Sequence, residues 1–403
     1  MFKIAFIGQK GIPVSQGGVE RHVEELSIRL AKNGHEVFVY TRSHCVPKEY
    51  RKYEAVNLVS LPSINSKNLD AISHTFVSTL SAIFKEKVDV IHYHGVGPSL
   101  LAWLPKIFNK KIKVVSTVHS PDWEHQKWSN FAQKMLKLGC QLACKFADEI
   151  VAVSRDLQKY CLSQHRGEAI YIPNGVNVDK NNNINENNER ILDSFNLESQ
   201  KYLLVVTRLI KHKGVHYLIE AFKKFKEKYP ENNFKLVVVG STAFTESYQN
   251  FLMTLKQGRE DIVFTGIQTG ENLETLYKNS YLYAHPSESE GLSISVLEAM
   301  SYGKAVLVAD ISENLELISG NINTGAVGFD FKNKNVIDLM YKIELLIHNP
   351  ELVYTVGKKA QSFVKLYYNW EEIVDRIERV YKNMVSIKDK MPSRLRLALS
   401  RLL

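Results

Sequence analysis

The sequence predicts an α/β protein made of two doubly wound domains, each built on a parallel sheet. Short apolar segments alternate with amphipathic helical patterns along the chain, and this alternation is typical of a parallel sheet covered by helices on both faces. The 403 residues exceed one ordinary hydrophobic core and suit two domains. The polar run KNNNINENNER at residues 180–190 separates the two alternating halves and is predicted to be a linker.

The first half begins with a strand over residues 3–7 that leads into the loop GQKGIPVSQGG and a helix near Val19. Its four glycines lack the GxGxxG spacing of dinucleotide-binding folds, so a dehydrogenase is disfavoured. Gly17 and Gly18 open the helix, where bare amides can hold a diphosphate. A flexible loop with a glycine N-cap explains the same spacing equally well. Further strands are predicted at about 36–41, 55–61, 88–93, 112–118 and 148–153, with helices at about 69–85, 97–109, 126–146 and 155–163.

The second half repeats the pattern from KYLLVVTRL onward. The last helical segment, YNWEEIVDRIERVYKNM, places Trp370, Ile373, Ile377 and Tyr381 on one apolar face. Between these two segments, helices are predicted at 214–228, 245–257, 271–279, 335–347 and 351–366, and strands at 234–240, 261–265, 281–285 and 305–309.

Composition indicates a soluble globular protein, with 44% hydrophobic and 24% charged residues. We find no apolar run of about eighteen residues, and the start MFKIAFIG already has the pattern of a strand, so neither a membrane span nor a signal peptide is expected. The protein is expected in the cytoplasm. The cysteines Cys45, Cys140, Cys144 and Cys161 lack the usual metal-ligand spacing; Cys140 and Cys144 share a helix face and are predicted to be core residues or free thiols.

The net charge of +9 is uneven along the chain. Residues 1–175 contain 23 Lys plus Arg against 15 Asp plus Glu, and the remainder contains 29 against 28. A basic first half predicts an anionic partner, such as a lipid phosphate or the anionic inner face of the cell membrane. Nucleic acid is disfavoured, because no reading motif is present and the basic residues are spread over several helices.

The tail IKDKMPSRLRLALSRLL suits attachment to an anionic bilayer, because basic residues stand among leucines. A packed or frayed terminal helix is an equally good explanation. The basic residues of the tail are Lys388, Lys390, Arg394, Arg396 and Arg401.

The segment HPSESEGLSISVLEAMSYG, residues 285–303, predicts a strand, a tight loop and a helix. Gly291 allows close approach of a ligand, and the amides of Leu292 and Ser293 in the first helical turn can bind phosphate. Seven residues separate Glu290 from Glu298, which lies on the buried side of the helix and needs hydroxyl partners such as those of a sugar or ribose. A capped helix with two surface glutamates is the alternative.

The segment TRLIKHKG places two cations at the end of the first strand of the second half. Arg208 ends the strand and Lys213 follows five residues later, before a helix opened by Gly214. Such fixed charges can hold a diphosphate and stabilise it as it leaves, without a metal. The absence of any Asp-x-Asp pair agrees with this prediction.

Three histidines lie on strands of the first half or at their ends. His119 ends IKVVSTVH, where open α/β sheets bind ligands, and can donate a hydrogen bond to a sugar hydroxyl; a structural histidine is the alternative. His92 and His94 in VIHYHG lie on one strand face without an acidic partner, so a structural role is favoured over a metal site.

These motifs together resemble family 4 of the retaining glycosyltransferases, which have the GT-B fold. The resemblance implies that Glu298 holds the ribose, that Glu290 lies beside the transferred sugar, and that Arg208 and Lys213 bind the phosphates. It also implies that the pair Gly17 and Gly18 approaches the diphosphate, that Gly266 lies under the base and that His119 faces the donor sugar. GIPVSQGGVE and HSPDWEHQKW resemble a subgroup associated with surface-polysaccharide and rhamnose-type transfer, although Ser120 stands where that subgroup often has glycine.

The resemblance implies two Rossmann-like domains facing across a cleft: an acceptor domain of residues 1–175 completed by 369–403, a linker of 176–197, and a nucleotide-sugar domain of 198–368. The implied reaction transfers a sugar from a nucleoside diphosphate to a hydroxyl of a lipid-linked glycan, with retention and without metal or other cofactor. Attack from the side of the leaving phosphate and a double displacement through Glu290 both remain open. A sugar-nucleotide epimerase and a non-catalytic membrane scaffold of the same fold are the rival functions.

Overall fold

The computed structural model describes residues 1–14, 17–47, 49–66, 69–124, 129–165, 168–178, 186–241, 246–322 and 324–390. The chain divides into two compact units. The first contains Met1–Asn174 together with the chain from Trp370 onward, and the second contains Gly175–Asn369.

The first unit is built on an eight-stranded sheet of order β3-β4-β2-β1-β5-β6-β7-β8, parallel except for the antiparallel pair β3–β4. Its strands are β1 Lys3–Ile7, β2 Glu36–Arg42, β3 Lys52–Tyr53, β4 Val56–Leu61, β5 Val90–His94, β6 Lys113–Val118, β7 Glu149–Ala152 and β8 Ala169–Tyr171. Its helices before the second unit are α1 Gly18–Lys32, α2 Asp70–Phe84, α3 Leu104–Phe108, α4 Asn130–Phe146 and α5 Arg155–His165.

The second unit is built on a six-stranded, wholly parallel sheet of order β11-β10-β9-β12-β13-β14. Its strands are β9 Tyr202–Val206, β10 Lys235–Val239, β11 Ile262–Gly266, β12 Leu282–His285, β13 Ala305–Ala309 and β14 Phe329–Phe331. Its helices are α6 Glu186–Ser194, α7 Val215–Lys228, α8 Glu246–Lys256, α9 Gly270–Asn279, α10 Ile294–Ser301, α11 Ser312–Ile318, α12 Val336–Ile347 and α13 Pro350–Tyr367; α14 Trp370–Lys390 then returns to the first unit.

Each sheet has one point at which the order of its strands reverses. In the first unit β1 pairs with β2 on one side and β5 on the other, and in the second unit β9 pairs with β10 and β12. Open α/β sheets bind ligands beyond the carboxyl ends of the strands at such a switch point. The segments after β1 and β5, and those after β9 and β12, therefore occupy the two candidate binding edges.

Helix α14 completes the hydrophobic core of the first unit. Its apolar face is buried in one cluster with strand residues such as Ile4 and with Val23 of α1. This is the face that the heptad-like spacing of the sequence predicts, formed by Trp370, Ile373, Ile377 and Tyr381. Covering both faces of the central strands leaves them fully buried, as a parallel sheet requires.

Two expectations from the sequence differ from the structure. The helix predicted at 97–109 is a short 3-10 helix, Pro98–Leu101, followed by α3; Pro105 lacks an amide hydrogen and clashes with the preceding turn, so one continuous helix cannot form there. The region 176–197, predicted to be a linker, contains α6, which packs in the second unit. Asn188 is buried and its Oδ1 accepts a hydrogen bond of 2.8 Å from Thr275 Oγ1.

Membrane attachment through the tail lies beyond what the structure describes. Arg394, Arg396 and Arg401 fall outside the described residues, as do the side chains of Lys388 and Lys390. None of the helices in the described ranges combines the length and apolar character needed to cross a bilayer.

Gly214 lies where the loops after β9 and β12 touch, and we expect Gly214→Ala to destabilise the second unit. Gly214 has φ of 69°, and a Cβ there would lie 1.9 Å from the carbonyl oxygen of Pro286. Strain and backbone clash together lower the free energy of unfolding by about 2 kcal/mol or more. The midpoint of urea unfolding of the full chain measures the effect.

Gly258→Ala is the matched control. Gly258 has nearly the same φ, 73°, but a Cβ there would contact nothing within 4 Å. The control therefore measures conformational strain alone, about 1 kcal/mol. Equal effects of the two substitutions would show that the contact between the two loops does not matter.

Candidate functional site

A buried ion pair occupies the switch point of the second sheet. The loop after β9 ends in a 3-10 helix, Lys211–Lys213, and the loop after β12 carries Glu290. Lys213 Nζ donates to Glu290 Oε1 over 2.5 Å, and His285 Nε2 lies 2.8 Å from the same oxygen. Glu290 is only 9% exposed. The structure therefore brings together two of the predicted site residues and adds His285, the last residue of β12.

The charges of this cluster set the protonation state of Glu290. Burial raises the pKa of its carboxyl, but the Lys213 ammonium and the hydrogen bond from His285 outweigh burial and hold the pKa well below its usual range. Glu290 is therefore an anion at neutral pH. A buried charge needs such a partner, and loss of either member of the pair leaves the other uncompensated.

The loop that carries Glu290 is held by several contacts of its own. The backbone amide of Glu288 donates to His212 O over 2.8 Å, which joins this loop to the one after β9. The Glu288 carboxylate accepts from Tyr217 Oη at 3.0 Å and pairs with Lys334 at 2.9 Å. These contacts limit the positions that Glu290 and Lys213 can adopt, which favours a preorganised site.

Glu298 is the fifth residue of α10 and is half-buried. Its Oε2 accepts a hydrogen bond of 3.2 Å from Tyr277 Oη. Burial, together with the nearby Glu298 carboxylate, raises the pKa of Tyr277 well above its usual value, so the phenol stays protonated and remains a donor. A phenol on α9 thus supplies one hydroxyl partner from the protein itself, whereas the sequence predicts the hydroxyls of a sugar or ribose as partners of this carboxylate.

The N-terminus of α10 lies beside these groups. Gly291, Leu292 and Ser293 precede the helix and are buried. Ser293 is the N-cap residue, but its side chain does not cap the helix; its Oγ lies 3.1 Å from Ser295 Oγ. The partial positive charge of the first turn is therefore not neutralised by this side chain, which suits an anionic ligand.

Arg208 and Gly266 lie at the ends of two other strands of the same sheet. Arg208 follows β9, is exposed, and has no ion-pair partner among the residues that the structure describes. Gly266 ends β11 with φ of 71° and faces open space, since a Cβ there would contact nothing within 4 Å. Arg208 and Gly266 are both accessible to a ligand at this edge. Within the described part of the chain, neither forms a hydrogen bond or ion pair with Lys213 or Glu290.

The loop after β1 presents the predicted glycine pair at the start of α1. Gly17 is the N-cap residue with φ of 112°, a backbone conformation that favours glycine, and α1 begins at Gly18. Glu20 lies in the first turn, and its carboxylate accepts from the backbone amide of Lys10 over 3.2 Å. A carboxylate at this position competes with a diphosphate for the positive end of the helix.

A cluster of three buried histidines, His22, His94 and His119, lies at the switch point of the first sheet. His94 Nδ1 lies 3.1 Å from His119 Nε2, and the rings of His22 and His119 meet edge to face with centroids 4.8 Å apart. His22 Nδ1 is 2.9 Å from Asn174 Oδ1. The amide oxygen can only accept, so His22 carries its proton on Nδ1.

These histidines are neutral in the folded protein. Burial lowers the pKa of all three, that of His22 to about 4. Neutral imidazoles donate one hydrogen bond and accept another, which suits recognition of hydroxyl groups. Of these three histidines, the sequence predicts a ligand-binding role only for His119. His22 could also have been recognised from the sequence, because it lies one helical turn after Gly18.

His92 differs from its neighbour His94. Its Nδ1 lies 2.7 Å from Tyr381 Oη and its Nε2 lies 2.6 Å from Thr117 Oγ1. Both ring nitrogens are therefore occupied by protein groups. His92 ties α14 to the sheet, in agreement with the structural role that the sequence favours.

We expect the stability of the chain to fall between pH 6.5 and pH 4. In this window the unfolded chain binds protons on histidines with an ordinary pKa of 6.5, whereas the buried histidines of the folded chain remain neutral. Stability is therefore complete above pH 6.5 and decreases as the pH falls toward about 4. The histidines whose pKa burial lowers most are His22, His74, His92, His94 and His119.

Thermal melting over this pH range measures the effect. His22→Gln retains a side-chain partner for Asn174 but cannot take up a proton, so its melting temperature depends less steeply on pH. His348→Gln is the control, since His348 is exposed. An identical pH dependence in His22→Gln and the parent chain would contradict the expectation.

Protein-family models match segments in both units, and solved structures match the chain as a whole. Residues 16–180 match the model described as Glycosyltransferase Family 4, and residues 187–363 match Glycosyl transferases group 1. The structure of Anabaena HepE in complex with UDP-glucose superposes with a TM-score of 0.78 and 18% identity over 95% of this chain and 100% of that chain. The chain is a GT-B glycosyltransferase.

Curated relatives of this glycosyltransferase are distant. An uncharacterized glycosyltransferase of Methanocaldococcus jannaschii is 26% identical, over 94% of this chain and 98% of the relative. The N,N'-diacetylbacillosaminyl-diphospho-undecaprenol alpha-1,3-N-acetylgalactosaminyltransferase of Campylobacter jejuni is 28% identical, over 61% of this chain and 63% of the relative. These two proteins show what the chain is similar to, and the substrates in their names are those of the relatives.

Proposed function

We propose that this glycosyltransferase is retaining and metal-independent. It moves a sugar from a nucleoside diphosphate to a hydroxyl of a lipid-linked glycan, in the synthesis of a surface polysaccharide of the bacterial type. The observation that carries the proposal is the buried cluster of Lys213, Glu290 and His285 at the switch point of the second sheet. It combines a fixed cation for a phosphate with a fixed anion for sugar hydroxyls.

The donor is held by the second unit in this proposal. Glu298 binds the ribose hydroxyls, Gly266 lies against the base, and Arg208 with Lys213 and the first turn of α10 binds the diphosphate. The exposure of Arg208 and the N-terminus of α10, which the Ser293 side chain does not cap, support this assignment. The structurally similar protein HepE was crystallised in complex with UDP-glucose, which supports a nucleotide sugar as the donor.

We propose metal-independence because of the chemistry of these groups. A leaving diphosphate gains charge in the transition state, and preorganised cations and backbone amides stabilise it in place of a divalent ion. Arginine binds two phosphate oxygens at once, and lysine acts as a compact point charge. When a phosphate enters the site, Lys213 can exchange part of its contact with Glu290 for a phosphate oxygen.

Retention is proposed to arise by attack from the side on which the phosphate leaves, with a phosphate oxygen taking the acceptor proton. Glu290 is less suited to be the nucleophile of a double displacement, because Lys213 and His285 both bind its Oε1 and stabilise its negative charge. Its role is then to hold the donor sugar and to position Lys213. No glycosyl-enzyme should accumulate with a slow 2-fluoro sugar donor, as judged by intact-protein mass spectrometry.

The acceptor is assigned to the first unit. Its net positive charge suits the phosphates of a lipid-linked glycan. His119, with His94 against its ring, is proposed to face the transferred sugar. The name of the Campylobacter relative includes a diphospho-undecaprenol acceptor, which supports a lipid-linked substrate of this class.

The test begins with a thermal-shift screen of the full chain against uridine, guanosine and thymidine diphosphates. The diphosphate that raises the melting temperature most names the donor base by mass action. Its sugar nucleotides are then incubated with a short lipid diphosphate glycan, with and without added Mg²⁺ or Mn²⁺. Product with the donor's anomeric configuration, at a rate the ions do not change, is expected.

Other outcomes of the screen decide against the proposal. An inverted anomeric centre, or a rate that rises with Mg²⁺ or Mn²⁺, would contradict retention or metal-independence. Conversion of the nucleotide sugar without any acceptor identifies an epimerase. If none of the diphosphates shifts the melting temperature, the assignment of the donor site is wrong.

A further inference from the structure

Three of the four cysteines converge in the first unit. Cys140 and Cys144 lie one helical turn apart on α4, and Cys161 lies on α5. Their Sγ atoms are all within 4.8 Å of one another. All three are reduced, and they come from two helices separated by β7.

The packing of α4 and α5 holds this cluster in place. Cys140 and Cys161 are fully buried, and Cys144 is half-buried, which leaves a path to solvent. Helix α4 contacts the backbone beside it so closely that a Cβ on Gly139 would lie 2.1 Å from Val96 O. The cluster is therefore a fixed set of donor atoms instead of three mobile side chains.

A single thiophilic cation can bind all three sulfurs after small adjustments. At a Zn–S distance of about 2.3 Å, two thiolates on one ion are at most about 4.6 Å apart, close to the separations here. Soft thiolate ligands select zinc and related ions over magnesium or calcium. We propose that Cys140, Cys144 and Cys161 form a structural zinc site that joins α4 to α5.

The three sulfurs supply three of the four positions of a tetrahedral zinc ion, and a water molecule can take the fourth.

Binding of the ion displaces protons from the thiols. Three thiols and one Zn²⁺ give a zinc tris-thiolate of charge −1 and three protons, so no oxidant or reductant is needed. Because three protons are released when the ion binds, the apparent affinity falls as the pH is lowered. The site is built from α4 and α5 and shares no residue with the cluster of Lys213, Glu290 and His285.

Cobalt titration of the reduced full chain tests the site, because Co²⁺ in a thiolate site absorbs strongly in the visible and the near ultraviolet. The expected result is one Co²⁺ per chain, displaced by one equivalent of Zn²⁺. Cys161→Ser is expected to abolish the sulfur-to-cobalt band or weaken binding at least 100-fold. The matched control is Cys45→Ser, which changes the exposed cysteine outside the cluster and leaves the titration unchanged.

Thiol labelling of the unaltered chain covers the case in which Cys161→Ser fails to fold. Zn²⁺ is expected to slow the reaction of Cys144 with a disulfide reagent at least tenfold while leaving Cys45 unchanged. The proposal is overturned if the unaltered chain gives no thiolate band, or if zinc protects no thiol.

Discussion

Lys213→Ala lowers kcat of the glycosyltransferase by about 10²- to 10³-fold, the loss measured when one preorganised electrostatic donor is removed from a transition state. The ammonium lies 2.5 Å from Glu290 and is largely shielded from solvent, so water cannot replace its charge efficiently. The loss falls mainly on turnover, because the phosphate gains charge only as it leaves. Steady-state rates at saturating donor measure the effect.

Lys211→Ala is the control for this substitution. Lys211 lies in the same 3-10 helix but is exposed, so less than a twofold change is expected. Lys213→Arg retains the charge with a different shape and should recover part of the activity. If Lys213→Ala has the same kcat as the parent chain, Lys213 does not stabilise the leaving phosphate.

Glu298→Ala raises KM for the donor by about 30- to 100-fold, corresponding to about 2–3 kcal/mol for hydrogen bonds from neutral hydroxyls to a half-buried carboxylate. The ribose does not react, so its contacts are equally strong in the bound substrate and in the transition state, and kcat changes little. Initial rates over a range of donor concentrations separate the two constants.

Two further variants, Tyr277→Phe and Glu274→Ala, serve as comparisons for Glu298→Ala. Tyr277→Phe removes the phenol that donates a hydrogen bond of 3.2 Å to the carboxylate and raises KM only a few-fold. Glu274 lies on α9 with a half-exposed side chain, and its loss should leave KM unchanged. A large fall in kcat with unchanged KM in Glu298→Ala would assign the carboxylate to the reacting sugar instead of the ribose.

The fold could be predicted from the sequence because its signals are local. Alternation of apolar strands and amphipathic helices needs only neighbouring residues to be recognised, and the predicted strands of both sheets form within a few residues of their predicted bounds. Prediction was wrong where a distant contact or a steric detail decided. Helix α6 lies in the region predicted as a linker; its residues Ile191 and Leu192 are buried, and Asn188 accepts a hydrogen bond from Thr275, far along the chain.

The candidate site divides in the same way. Glu290 and Lys213 stand out in the sequence because they follow strands in recognisable loops. His285 and Tyr277 do not, since each looks like an ordinary element residue until β12 and α9 are placed beside the loop. Cys161 is a similar case: its distance from Cys140 along the chain hides the cluster that α4 and α5 create.

By itself, the sequence determined the α/β class, the two sheets and the identity of the charged side chains at the strand ends, because these depend on residue periodicity and on short motifs. Only the tertiary structure decided which of those charges meet. It pairs Lys213 with Glu290, leaves Arg208 exposed, and places histidines and cysteines from separate elements in contact. The physical reason is that the energy of a buried charge or a metal ligand depends on partners that folding brings close from distant positions.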